Sequence, residues 1–171
     1  FKKRGLTAVL NPASNLKLAS GIAPVKRFID EGIAIAVGTD GAGSNNALDM
    51  FREMYLVSVL AKYRENDASA VDAAKVLEAA CVGGARAMGL NDCDGIAVGK
   101  KADLTVIDLN RPNMRPINNI AKNIVYAGSK ENVRLTMVNG RVLYENGEFF
   151  IGEDAQKIYD EAEKVMETIK Q

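Results

Sequence analysis

Asp40 is the residue best placed to do chemistry. It closes the run Ile33-Ala34-Ile35-Ala36-Val37-Gly38-Thr39-Asp40-Gly41, which is apolar until it ends in Thr-Asp-Gly. A continuous apolar run of this length reads as a strand buried on both faces, as in a parallel sheet covered by helices. Ligands of such sheets bind at the carboxyl ends of the strands, which is where Asp40 falls. A carboxylate there can bind a metal or take a proton from water. The chain has no histidine, so the usual partners of an Asp in a catalytic zinc site are missing from it. The same Asp can instead cap the loop that follows, as Asp at a strand end often does.

Two loops stand beside it. Asn11-Pro12-Ala13-Ser14-Asn15-Leu16-Lys17-Leu18-Ala19-Ser20-Gly21 is polar at its start, and Ser14, Asn15, Lys17 and Ser20 supply hydroxyls, an amide and a cation suited to a polar ligand. Gly41-Ala42-Gly43-Ser44-Asn45-Asn46 can present backbone N–H groups to an anion, but it is neither Walker A nor the dinucleotide fingerprint. Asn15, Ser44 and Asn45 are the candidate substrate contacts. Both loops also read as connectors held by local Asx turns. Lys75 and Arg86 fall on predicted helices as solvated charges, and Cys81 and Cys93, without a His partner, read as structural.

The elements that position Asp40 follow from pattern. Residues 6–10 form a short strand, 11–21 a loop, and Pro24 to Glu31 a helix that stops before Gly32. With the Asp40 strand this makes a strand–helix–strand unit, whose natural solution is two parallel strands and a right-handed crossover. A long helix runs from about Leu48 to Arg64, capped by Asn45 or Asn46, with Phe51, Met54, Tyr55, Ser58 and Val59 on one face. A second helix opens at Ser69 and runs through Ala80, and Gly83-Gly84 interrupts it before a short piece, Ala85 to Met88. From about residue 94 the character turns to β. Strands fall at 103–109, 133–138, 141–145 and 148–151, and the last three are separated by Asn139-Gly140 and Asn146-Gly147, strong hairpin signals. A polar helix with Ile158, Ala162, Val165 and Ile169 in its apolar stripe runs from Asp154 to Lys170.

Composition narrows the class. The 171 residues are 47% hydrophobic and 26% charged, and 22 basic residues balance 22 acidic ones. Zero net charge argues against a nucleic-acid or anionic-membrane partner recognised mainly through charge. No apolar stretch approaches the length of a bilayer span, and the basic start Phe1-Lys2-Lys3-Arg4 lacks the apolar core of a signal peptide. Two cysteines make no disulfide framework and fit a reduced, cytoplasmic setting. Two parallel strands cannot close a sheet into a barrel, so the pattern reads as part of a longer chain.

The two loops, taken with Gly83-Gly84-Ala85-Arg86-Ala87-Met88-Gly89-Leu90, with Ile96 to Leu104 as a Gly-x-x-Ala-Asp-Leu entry, and with the Val138-Asn139-Gly140-Arg141 hairpin, resemble the amidohydrolase superfamily. The similarity is to the branch of methylthioadenosine/S-adenosylhomocysteine deaminases and chlorohydrolase-type enzymes, and it spans nearly the whole chain. It implies a (β/α)8 barrel, a β-sandwich built from both chain ends, and a divalent metal, usually zinc, held by several His and one Asp. On this resemblance Asp40 matches the Asp at the end of the eighth strand, touching the metal and taking a proton from the attacking water. Many relatives carry a His just before the Asn-Pro pair, and here that position is Leu10. The family's His-x-His motif and its general-acid Glu have no counterpart in this sequence.

The expectation is therefore an α/β chain, the C-terminal portion of a (β/α)8 TIM-type barrel with part of a small β-sandwich. Its divisions are 1–93, 94–151 and 152–171. The expected function is hydrolytic deamination of a purine-type or related heterocycle by the longer protein, with the fragment alone inactive. Zinc would belong to that longer protein and be absent or incomplete here. The expected partners are a small-molecule substrate and the remainder of the chain, with neither nucleic acid nor membrane; a homo-oligomer stays open. So do two other readings, a structural or interaction module and a non-catalytic α/β ligand-binding protein.

Overall fold

The computed structural model describes residues 1–169. Thr7–Leu10 (β1) and Ala34–Val37 (β2) pair in parallel, from Thr7 opposite Ala34 to Leu10 opposite Val37. The Gly38 N–H donates to the Leu10 carbonyl at 3.0 Å and carries the pairing one residue further toward Asp40. Between the strands lie Pro12–Lys17 (α1) and Val25–Asp30 (α2). The first of these helices replaces the expected loop. Pro12 stands at its first position, where a missing N–H costs nothing, and outweighs the loop-like Asn and Ser content. The strands also differ from expectation: they are not covered on both faces. Ala8 and Leu10 are buried but Val9 between them is 51% exposed.

Met50–Glu65 (α3) starts later than Asn45 or Asn46 capping would allow. Leu48 has a left-handed backbone, φ +44°, which no helix continues through. Asp49 is the N-cap, its Oδ1 accepting from the Phe51 N–H at 2.9 Å. Its buried face is Glu53, Met54, Val57, Ser58 and Ala61, shifted from the expected one; Tyr55 is exposed. Ala73–Glu78 (α4) opens on Asp72, whose Oδ1 accepts from the Ala74 N–H, rather than on Ser69. The glycine pair does not interrupt the helical path. A π-type turn, Ala79–Gly83, leads directly into Gly84–Ala87 (α5).

Gly83 explains that turn. A Cβ there would come within 2.3 Å of the Ile35 carbonyl oxygen, so only glycine lets the turn lie against β2. Val76, fully buried on α4, contributes about 1.5–3 kcal/mol by leaving water. A helix not anticipated, Ile120–Ala127 (α6), is capped by Asn119, whose Oδ1 accepts from the Lys122 N–H at 3.0 Å.

The chain divides into two compact units. The first comprises Phe1–Lys100 and Asp108–Asn132, and every fully buried apolar side chain among the described residues belongs to it. In it, buried Asn132 ties the returning segment together through Asn113, Ser129 and the Asp108 carbonyl. The second comprises Lys101–Ile107 and the residues from Val133 on. Its four antiparallel strands, Leu104–Ile107 (β3), Val133–Val138 (β4), Arg141–Glu145 (β5) and Glu148–Phe149 (β6), neighbour one another in chain order. Asn139 and Gly140, then Asn146 and Gly147, all have positive φ, as tight hairpin turns need. Ala155–Ile169 (α7) buries no residue; its expected end at Lys170 lies outside the described residues. Among the described residues no helix is long and apolar enough to cross a membrane.

Candidate active site

Asp40 sits three residues beyond β2 with φ +61°, a left-handed conformation that Asp tolerates better than most residues. That backbone aims the carboxylate back at its own loop. Oδ1 accepts the Gly41 N–H at 2.8 Å. Oδ2 accepts two hydroxyls, Ser14 Oγ at 2.6 Å and Ser44 Oγ at 2.8 Å. Ser14 comes from α1 and Ser44 from the loop after β2, so the ends of two neighbouring strands converge on one carboxylate. The hydrogen bonds from Ser14, Ser44 and the Gly41 N–H hold the Asp40 carboxyl below its usual range. A carboxylate oxygen offers about two acceptor positions. Oδ2 has filled its pair, and Oδ1 keeps one free. Asp40 is exposed, so the free position on Oδ1 can meet a ligand.

A second layer lies beneath. Glu53 is fully buried on α3. Its Oε2 accepts the Ala13 N–H at 3.0 Å and its Oε1 accepts Asn45 Nδ2 at 2.7 Å. Lys17 Nζ donates to the Gly43 carbonyl at 3.1 Å and to Asn46 Oδ1 at 2.6 Å. These contacts fasten α1 to the loop 41–46, so both serine donors are carried by one braced assembly.

The expected site residues are placed unequally. Asp40 and Ser44 meet directly. Asn45 turns inward: it is 3% exposed, and its amide is spent on the Thr39 carbonyl and Glu53. Asn15 lies away from the carboxylate, lining a small cavity with Leu10, Pro12, Ile22, Val57 and Ala61. Leu10, where many relatives of the resembled family carry His, is a core residue at 4% exposure. Sequence reasoning missed Ser14 as the partner of Asp40 and missed Glu53 altogether. A helical reading of α1 would have found Ser14, since it places that residue on the turn that follows β1.

One carboxylate is not a zinc site. Structural and catalytic zinc takes three or four protein ligands. Among the described residues no three His, Cys, Asp or Glu side chains gather where they could hold an ion. The residues of this chain therefore do not by themselves fit the metal that the resemblance implies; Asp40 could be one ligand of a larger set.

Comparison with known proteins sharpens this. The amidohydrolase family model matches residues 1–143. A 5-methylthioadenosine/S-adenosylhomocysteine deaminase of Nitratidesulfovibrio vulgaris is 48% identical over 145 residues, covering 85% of this chain and 33% of the relative. A 5'-deoxyadenosine deaminase of Methanosarcina acetivorans is 38% identical over 169 residues, 99% of this chain and 39% of the relative. Among solved structures, an adenosine deaminase from Xanthomonas campestris with bound zinc superposes with a TM-score of 0.94 at 38% identity, over 99% of this chain and 38% of that one. The chain thus spans between a third and two fifths of the length of these relatives.

Proposed function

This chain belongs to the amidohydrolase family, and we propose that it supplies the Asp-bearing part of a zinc-dependent aminohydrolase acting on a 5'-modified adenosine. The observation that carries this is the Asp40 carboxylate, held by three donors beyond a parallel strand with one position of Oδ1 open. The names of these three relatives, each a deaminase of adenosine or a 5'-modified adenosine, support the substrate class. The other metal ligands come from residues outside this sequence. So do the remaining barrel strands, a reading supported by the parallel β1–β2 pair and the bare face at Val9. Residues 1–93 are then barrel, the strands within 94–151 a sandwich portion, and the division from 152 on a terminal helix over its described residues; a sheet without one fully buried apolar side chain supports a missing second layer.

In this account Asp40 accepts a proton on Oδ1 from a water as its oxygen bonds to the ring carbon bearing the amino group. The proton passes to the departing nitrogen, the carbon–nitrogen bond breaks, and ammonia leaves. A carboxyl held below its usual range is ionised at neutral pH, and the open position on Oδ1 is where it can accept a proton. Ser14 and Ser44 keep Oδ2 occupied, so Oδ1 is the oxygen left to face the water.

The test is a chimera. Residues 1–171 replace the matching portion of the Nitratidesulfovibrio deaminase, and ammonia release from 5'-methylthioadenosine is measured. Turnover is expected. A folded, zinc-loaded chimera that turns over no 5'-modified adenosine would overturn the substrate class.

A further inference from the structure

We infer that Glu53 is a positioning residue for the Asp40 site, acting through the two segments that carry its serine donors. The inference rests on the reading of Asp40 as the working carboxylate, but its geometry is independent of any substrate.

Each oxygen of Glu53 lands one residue away from a serine that holds Asp40. Oε2 takes the N–H of Ala13, and Ser14 is next in the chain. Oε1 takes the amide of Asn45, and Ser44 is the residue before it. The remaining donor of that amide goes to the carbonyl of Thr39, the residue before Asp40. Glu53 thus holds two short segments directly and, through Asn45, a third, and all three meet at a single carboxylate.

The local chemistry makes this assignment specific. Helix α1 needs acceptors for its first N–H groups, and its N-cap, Asn11, gives none from its side chain. Glu53, 40 residues away in the chain, provides one instead. Burying a carboxylate is costly unless its oxygens are satisfied, and capping alone needs only a side chain of the kind Asn11 already offers at the N-cap. What Glu53 adds beyond capping is the bond to Asn45, which ties α1 to the loop after β2. Both of its partners are donors, so an amide at position 53 would turn an NH2 group against one of them and break one arm.

The experiment uses the 171-residue chain and NMR of the Ser14 and Ser44 hydroxyl protons, which short bonds to a carboxylate slow in exchange. Ser14→Ala, Ser44→Ala and Asp40→Asn assign the signals. In Glu53→Gln, at least one of the two hydroxyl protons is expected to exchange about tenfold faster or more, while β1–β2 amides stay protected. Ser58→Ala is the control for loss of stability alone: it lies on the same helix and bonds Tyr126, away from Asp40, and it is expected to leave both signals in place. Should Glu53→Gln fail to fold, Asn45→Ala removes the Oε1 arm together with the bonds to Thr39 and Ala47 while leaving the Ala13 arm in place, and it is expected to speed Ser44 exchange more than Ser14 exchange. Unchanged hydroxyl signals in a folded Glu53→Gln or in Asn45→Ala, or equal changes in Ser58→Ala, would overturn the inference. A failed deaminase assay would leave this result standing, so the two readings fall separately.

Discussion

Ser14 and Asp40 are 26 residues apart in the chain, and the Ser14 hydroxyl donates to the Asp40 carboxylate at 2.6 Å. The bond joins the turn after β1 to the turn after β2. It fills the second oxygen of Asp40 together with Ser44, and it is the largest cause of the lowered Asp40 pKa.

That lowering has a definite pH signature. A carboxyl whose pKa falls on folding adds stability above its unfolded value, near 3.8, and loses it as pH drops through the folded value. The stability difference between wild type and Asp40→Asn should therefore depend on pH below about 4 and be flat above it. Ser14→Ala should raise the Asp40 pKa toward its usual value, read by carbon-detected NMR of the carboxyl. A difference constant from pH 2 to pH 6 in urea unfolding would contradict this.

Adjacent glycines should respond with opposite signs. Gly83→Ala drives a Cβ to 2.3 Å from the Ile35 carbonyl, backbone that cannot step aside. A loss of about 2–3 kcal/mol is expected from such overpacking. Gly84 is helical, and a methyl group added to it would meet nothing within 4 Å, so Gly84→Ala should gain about 0.5–1 kcal/mol. Denaturant midpoints of the two variants decide it; equal effects would remove the role given to Gly83.

The 171-residue chain should hold no stoichiometric zinc at neutral pH, since Asp40 stands without neighbouring ligands among the described residues. Metal analysis after dialysis against zinc checks this, and one tightly held zinc per chain would show that the donor set has been misread.

Exposed apolar surface predicts association. Val9, Ile158, Val165 and Met166 are each at least 42% exposed, and α7 buries none of its stripe. The chain alone should self-associate at micromolar concentrations, and Ile158→Glu with Val165→Glu should shift it toward monomer. A monodisperse wild-type monomer by light scattering would count against a bare face on either unit.

What the sequence made legible were features with strong local chemistry. The apolar run into Asp40 gave strand, exit and carboxylate together, and two Asn-Gly pairs gave the hairpins. Most of the misses share a cause: tertiary contacts decided them. Pro12-Ala13-Ser14-Asn15 has loop composition, yet it is helical with Pro12 at its first position and Glu53 capping it from another element. Ile120–Ala127 is short and rich in β-branched residues, and its start depends on a single Asn cap. Glu53 reads as an ordinary first-turn charge, because no periodicity marks a carboxylate as the centre of a buried face. Asn45 has the right side chain for a ligand, and only the packing of α3 turns it inward.

The most direct test of the central claim is Asp40→Asn in the deaminase chimera, with zinc content and turnover of 5'-methylthioadenosine measured side by side. The account predicts a folded protein whose kcat/KM falls by about 10³-fold or more, since the proton acceptor is gone. A variant within about tenfold of the parent chimera would contradict the assignment of Asp40 as the working carboxylate.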